Sequence, residues 1–260
     1  MSDETLIAVF VDFENLALGV GESKSKSKSF EIEVILKRLL EKGRIVFKRA
    51  YCDWRDYRRA VADFHGRGIE LIDIPRSKMS GKNSADIRMV VDALELCYTK
   101  PHIDTYALLS GDSDFSPLVS KLKENDKRVI GCGVKGSTSD LLIGNCDEFI
   151  FYDDLVVAAE KRPARKRARR KSKSDTLDRK EEGVDRLLEI VSSLVVEYEP
   201  LWGSLVKQTL RRVYPDFNEA NLGFSSFTEL LKEAESMGYL SLEYDGGRGN
   251  YMIGLRESQS

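Results

Sequence analysis

Between Leu6 and Tyr152 the chain alternates short apolar runs with longer amphipathic stretches. The apolar runs Leu6–Val11, Arg44–Tyr51, Ile69–Ile74, Thr105–Ser110, Arg128–Gly133 and Glu148–Tyr152 have the length and composition of buried strands. Helical periodicity fills the gaps at Glu31–Glu41, Trp54–His65, Ala85–Cys97, Phe115–Glu124 and Ser139–Gly144. Strands alternating with helices predict an α/β fold: a doubly wound, mainly parallel sheet covered on both faces. From Gly183 the pattern changes. Three helical stretches (Val184–Glu197, Leu201–Val213, Phe227–Met237) precede two strands, Tyr239–Tyr244 and Asn250–Leu255, which flank a Gly-rich turn. That order predicts a small winged helix. The aromatics of this unit are read mainly as its core.

Charge sharpens this division. Nine Lys or Arg residues and no acid lie between Lys161 and Lys173, leaving 32 of the 41 basic residues against 43 acids elsewhere. The net charge of −2 thus hides an acidic body with a basic tether. Such a block is solvated and attracts polyanions. The expected division is a domain over 1–157, a basic linker over 158–183 and a winged helix over 184–256. A second polar run, Ser23 to Ser29, reads as a solvated loop after the first strand.

At 260 residues and 42% hydrophobic content the chain can bury a sizeable core, and no apolar run reaches membrane-spanning length. Met1-Ser2-Asp3-Glu4 leads directly into a strand, which argues against a signal peptide. Cys52, Cys97, Cys132 and Cys146 are widely spaced, the expectation for reduced thiols of a cytoplasmic protein rather than a zinc site. The two histidines, His65 and His102, sit in turn-like contexts that suit neither a Ser-His-Asp triad nor a paired-His ribonuclease. Catalysis, if the chain has any, would therefore fall to carboxylates and a metal.

Aspartates stand where the strands and helices meet. Asp12 closes the first strand, Asp112 and Asp114 follow the fourth, and Asp86 lies in a helical first turn that Ser84 is expected to cap. Ligands of doubly wound sheets bind at the carboxyl ends of the strands. Carboxylates about 4 Å apart there repel by roughly 4 kcal/mol per pair at an effective dielectric of 20. A hard cation, Mg²⁺ or Mn²⁺, would relieve that repulsion, orient a phosphodiester and activate a water. Asn15, one turn beyond Asp12, is suited to hold a water or a phosphate. Lys78 and Lys82, in the loop before Asp86, could reach substrate phosphates. Asp92 is expected on another face and is left out. A phosphoryl-accepting receiver domain fits poorly, because the first strand ends in a single Asp before Phe13.

Val11-Asp12-Phe13-Glu14-Asn15, Lys82-Asn83-Ser84-Ala85-Asp86 and Ser110-Gly111-Asp112-Ser113-Asp114-Phe115 together resemble the signature of NYN domains, PIN-like nucleases, over about residues 5–154. The resemblance implies metal-dependent cleavage of RNA, usually single-stranded, by Asp12, Asp86, Asp112 and Asp114. Leu201-Trp202-Gly203 through Tyr214-Pro215-Asp216-Phe217, Gly223-Phe224-Ser225-Ser226-Phe227 and Met237-Gly238-Tyr239-Leu240 are similar to the OST-HTH or LOTUS domain. That family implies RNA binding, with Lys207, Arg211, Arg212 and Arg248 as candidate contacts, and in some members binding of other RNA-processing proteins. The expected function is an endoribonuclease that hydrolyses its substrate by an activated water in line with the leaving oxygen. The alternatives are a non-catalytic RNA-binding adaptor and a nuclease acting on DNA.

Overall fold

The structure is a computed structural model that describes residues 4–22, 30–75, 83–159 and 175–256, with the backbone alone at 175–178. It forms two compact units, Met1–Ala164 and Arg165–Ser260. The loop Ser23 to Ser29, Lys78, Lys82 and the basic block from Lys161 to Lys173 lie outside the described residues.

In the first unit six strands form one parallel sheet: β1 (Leu6–Asp12), β2 (Arg44–Cys52), β3 (Glu70–Asp73), β4 (Thr105–Leu109), β5 (Arg128–Gly133) and β6 (Glu148–Phe151). Their spatial order is β3-β2-β1-β4-β5-β6. The chain runs outward from β1 to β3, then returns to lay β4 against the other side of β1. The helices are α1 (Phe13–Glu22), α2 (Ile32–Lys42), α3 (Arg58–Gly66), α4 (Ser84–Thr99), α5 (Ser116–Glu124), α6 (Asp140–Asn145) and α7 (152–159).

Strand alternation sorts the core into two layers. Ile7, Val9 and Val11 of β1, with Ala107 and Leu109 of β4, pack with Leu16, Ile35, Leu39 and Phe64 from α1, α2 and α3. Ala8 and Phe10, with Tyr106 and Leu108, face Met89, Ala93, Val119 and Leu122 from α4 and α5. Because β1 is buried on both faces, its sequence is continuously apolar rather than alternating. Phe10 has no exposed surface and stacks on Tyr106 at 6.0 Å and 8°. Truncating such a side chain to Ala costs about 3–5 kcal/mol.

Two helices go beyond the sequence pattern. α1 begins directly at Phe13, despite Gly19 and Gly21, and α7 begins where the last strand was expected to end. Gly19 lets the helix pack closely there: a Cβ would displace the Ser137 hydroxyl and lie 3.2 Å from Val134 Cβ. The expected cap at Ser84 is also corrected: the helix is preceded by Asn83, and Ser84 is its first residue. Asp86 still falls in the first turn.

The second unit contains α8 (Asp175–Leu194), α9 (Gly203–Val213), α10 (Phe227–Ser236) and an antiparallel hairpin of β7 (Leu240–Asp245) and β8 (Asn250–Leu255). Trp202 bridges to Met252 and adds a short third pairing beside the hairpin. Leu187, Ile190, Val206, Leu210, Leu230 and Ala234 are buried within the three helices. α8 starts nine residues before the expected Val184, in a charged stretch that apolar periodicity does not mark. No described helix is long and apolar enough to cross a membrane.

Candidate active site

The register of β1 and β4 builds the site. Val11 pairs with Leu109, so the next residues, Asp12 and Ser110, stand side by side at the carboxyl edge where the strand order reverses. Ser110 is fully buried and its hydroxyl donates to Asp12 Oδ2 at 2.9 Å. The same hydroxyl accepts the Asp112 N–H at 3.1 Å. Asp12 Oδ1 accepts the Asn15 N–H at 3.3 Å, which caps α1. Asp112 accepts the Asp114 N–H at 2.9 Å and so caps the short 3-10 turn Ser113–Phe115.

Asn15 has a duty the sequence does not disclose. Its amide oxygen accepts the Gly111 N–H at 2.8 Å, while the Gly111 carbonyl accepts the Ser139 N–H at 2.9 Å. Asn15 therefore positions the loop that carries Asp112. Gly111 must be glycine for a steric reason, since a Cβ would come within 2.7 Å of the Ser137 carbonyl oxygen. The glycine of Ser-Gly-Asp was the available signal for this close approach.

The four aspartates differ in exposure. Asp12 is buried, Asp86 and Asp112 are half-buried, and Asp114 is exposed. Burial pushes Asp12 up from 3.8 to about 7, opposed by the Ser110 and Asn15 hydrogen bonds and reinforced by the charges of Asp86 and Asp112. Burial, then Asp112 and Asp114, also raises Asp86. Segments distant in sequence thus crowd like charge at one sheet edge. The field extends further along that edge. Cys52 at the end of β2 is pushed up to about 12 by burial and then by Asp12, Asp53, Asp56 and Asp73.

Hard carboxylate oxygens with uncompensated charge are suitable donors for Mg²⁺ or Mn²⁺. Among the described residues no group of three His, Cys, Asp or Glu side chains is arranged to hold a metal ion. Asp12 and Asp112 are turned toward backbone and hydroxyl donors instead. Each oxygen retains a second lone pair, and Mg²⁺ typically takes only one or two carboxylates and completes its shell with waters. The donor set fits on that basis.

Asp92, left out from the sequence, is indeed structural. It is buried and accepts from Tyr51 Oη at 2.9 Å, Arg49 Nη1 at 2.8 Å and Arg88 Nε at 2.9 Å.

In the second unit Lys207 pairs with Glu219 at 2.9 Å and lies over the Phe227 ring. Arg211 lies 3.8 Å from Glu219, and Arg212 donates to Thr209 Oγ1 at 3.2 Å. Arg248, in the hairpin turn, covers the Trp202 ring at 4.8 Å. The exposed Tyr244 stands 4.9 Å from Tyr251 across the hairpin.

Residues 6–153 match the family model of the NYN domain, and residues 182–243 match that of the OST-HTH/LOTUS domain. The former is a PIN-like nuclease family and the latter an RNA-binding domain. An uncharacterized protein of Methanocaldococcus jannaschii is 30% identical over 159 residues, which cover 58% of this chain and 63% of that one. This chain thus spans less than two thirds of that relative's length. The crystal structure of a protein of unknown function from Vibrio parahaemolyticus superposes with a TM-score of 0.52 at 28% identity, covering 60% of this chain and 97% of its own.

Proposed function

The chain belongs to the NYN domain family, and from that premise we propose that it is a metal-dependent endoribonuclease whose winged helix binds the RNA substrate. The observation that carries this reading is the gathering of Asp12, Asp86, Asp112 and Asp114 at the reversal point of the sheet, where burial raises Asp12 and Asp86 and the neighbouring carboxylates add to it, Asp86 and Asp112 on Asp12 and Asp112 and Asp114 on Asp86. A phosphodiester could not approach such a carboxylate cluster without an intervening cation.

Of Asp12, Asp86, Asp112 and Asp114, one or two would hold Mg²⁺ or Mn²⁺ directly and the others would meet its waters. That ion would supply charge neutralisation for the scissile phosphate and a water acidified for attack. The chain's own residues do the positioning. The Ser110 hydroxyl and the Asn15 N–H each hold one oxygen of Asp12, and Ser110 also orders the backbone that presents Asp112. Asn15 and Ser139 grip Gly111 from two sides, so the Asp112–Asp114 turn is held before substrate arrives. In the winged helix, Arg248, Tyr244 and Lys207 offer charge and aromatic faces suited to phosphates and bases.

The test is cleavage of a fluorogenic RNA with Mg²⁺, Mn²⁺ or EDTA, beside a matched DNA. Cleavage of RNA that EDTA and Asp112→Asn both abolish supports the reading. Cleavage that survives Asp112→Asn comes from a contaminant. RNA binding with no cleavage in either metal would leave an adaptor. Faster cleavage of the DNA would reassign the substrate, since the chemistry itself does not need the 2′-hydroxyl.

A further inference from the structure

Beside the carboxylates lies a groove of about 740 Å³ between α4, α5 and α6. Its two halves differ in chemistry. One wall is apolar: Ile87 and Val91, one turn apart on α4, face it together with Leu141 of α6. These three are 63%, 53% and 60% exposed, an unusual grouping of large aliphatic side chains in water. The opposite side carries hydroxyls from Ser113, Ser116 and Ser120. Ser116 is buried, and its hydroxyl has no hydrogen-bond partner among the described residues. At one end the groove is lined by Asp86 and Asp114, so it runs directly into the site.

We infer that this groove receives the nucleobase adjoining the scissile phosphate. A base has apolar faces and a polar edge, which suits one aliphatic wall for a face to lie on and hydroxyls across from it for the edge. The volume falls in the range of small-ligand pockets and is ample for one nucleotide. Continuity with Asp86 and Asp114 places the occupant within one nucleotide of the cleavage point. The inference rests on the nuclease reading for its register, but not for RNA binding as such. It adds a specificity element: the base next to the cut must leave its stack to enter.

Two readouts on the full chain separate the ideas. The first is cleavage, in Mn²⁺, of an RNA with or without a single abasic residue beside the cut site. Wild type should lose on the order of tenfold in kcat/KM on the abasic substrate, as stacked bases elsewhere contribute. Ile87→Ser/Leu141→Ser, altered only at exposed positions, should cleave both substrates equally slowly. The second is photocrosslinking of a 4-thiouridine RNA in Ca²⁺, mapped by mass spectrometry, which needs no turnover. Crosslinks within residues 83–91, 113–120 or 141 support the groove even if cleavage is never seen, and the nuclease reading alone would then fall. Cleavage with an unchanged abasic penalty in the variant and crosslinks elsewhere overturns the groove and leaves the nuclease. Absence of both cleavage and groove crosslinks overturns both. Loss of self-association in the variant, with the abasic penalty intact, would make the groove a protein contact and overturn the inference as well.

Discussion

Asp12→Asn should make the metal-free protein more stable at alkaline pH. Asp12 is 7% exposed, and burial moves it from 3.8 to about 7. A folded-state value above the unfolded one means that the native protein holds the extra proton between those limits. Stability is therefore full below about 3.8, falls as pH rises to about 7, and is flat beyond. At ~1.4 kcal/mol per unit the whole interval is worth about 4 kcal/mol at most. Asparagine removes the charge but cannot accept from both the Ser110 hydroxyl and the Asn15 N–H, a loss of about 1 kcal/mol. The net expectation at pH 8 in EDTA is a gain of about 2–3 kcal/mol, shrinking to below about 1 kcal/mol at pH 5. The chain has two tryptophans, Trp54 in the first unit and Trp202 in the second. In a Trp202→Phe background, urea unfolding followed by fluorescence reads the first unit alone. Saturating Mg²⁺ or Mn²⁺ should stabilise wild type, by about 2.7 kcal/mol at a hundredfold excess over Kd, and should do less for Asp12→Asn. An effect of the substitution that is equal at pH 5 and pH 8 would refute the view of Asp12 as an ionisation the fold resists.

Gly111→Ala should destabilise by about 1–3 kcal/mol, because its Cβ meets the Ser137 carbonyl oxygen at 2.7 Å, and cleavage should fall even where unfolding assays report a folded protein. Asn15→Ala should lower kcat far more than it weakens RNA binding in a filter assay, since Gly111 loses its grip while the winged helix is untouched. Asp92→Ala leaves the buried Tyr51 hydroxyl without its acceptor and Arg49 with Glu70 alone, and should cost about 1–3 kcal/mol in denaturant, yet leave the response of any cleavage to Mn²⁺ unchanged.

The sheet was legible because each strand is a short apolar run, and Asp12 and Asp112 were legible because they break those runs at one end. What periodicity could not reveal is partnership across distance. Ser110 and Asp12 are 98 residues apart, and only the pairing of Val11 with Leu109 makes them neighbours. Asn15 was read as a ligand of water or phosphate because nothing local shows that Gly111 would claim its oxygen. The start of α1 was hidden for a different reason: its two glycines lower helix propensity, and close packing against the loop after β5 overrides that cost. Ser84 was taken for a cap on composition alone. The apolar positions Ile87 and Leu141 gave no functional signal, as each fits an ordinary amphipathic helix.

The grip on Gly111 has a consequence for the protein's biosynthesis. One jaw, Asn15, leaves the ribosome early, whereas the other, Ser139, emerges more than a hundred residues later. A nascent polypeptide that stops short of Ser139 cannot assemble the clamp, so the loop that carries Asp112 is held on one side only until the residues just before α6 have been made.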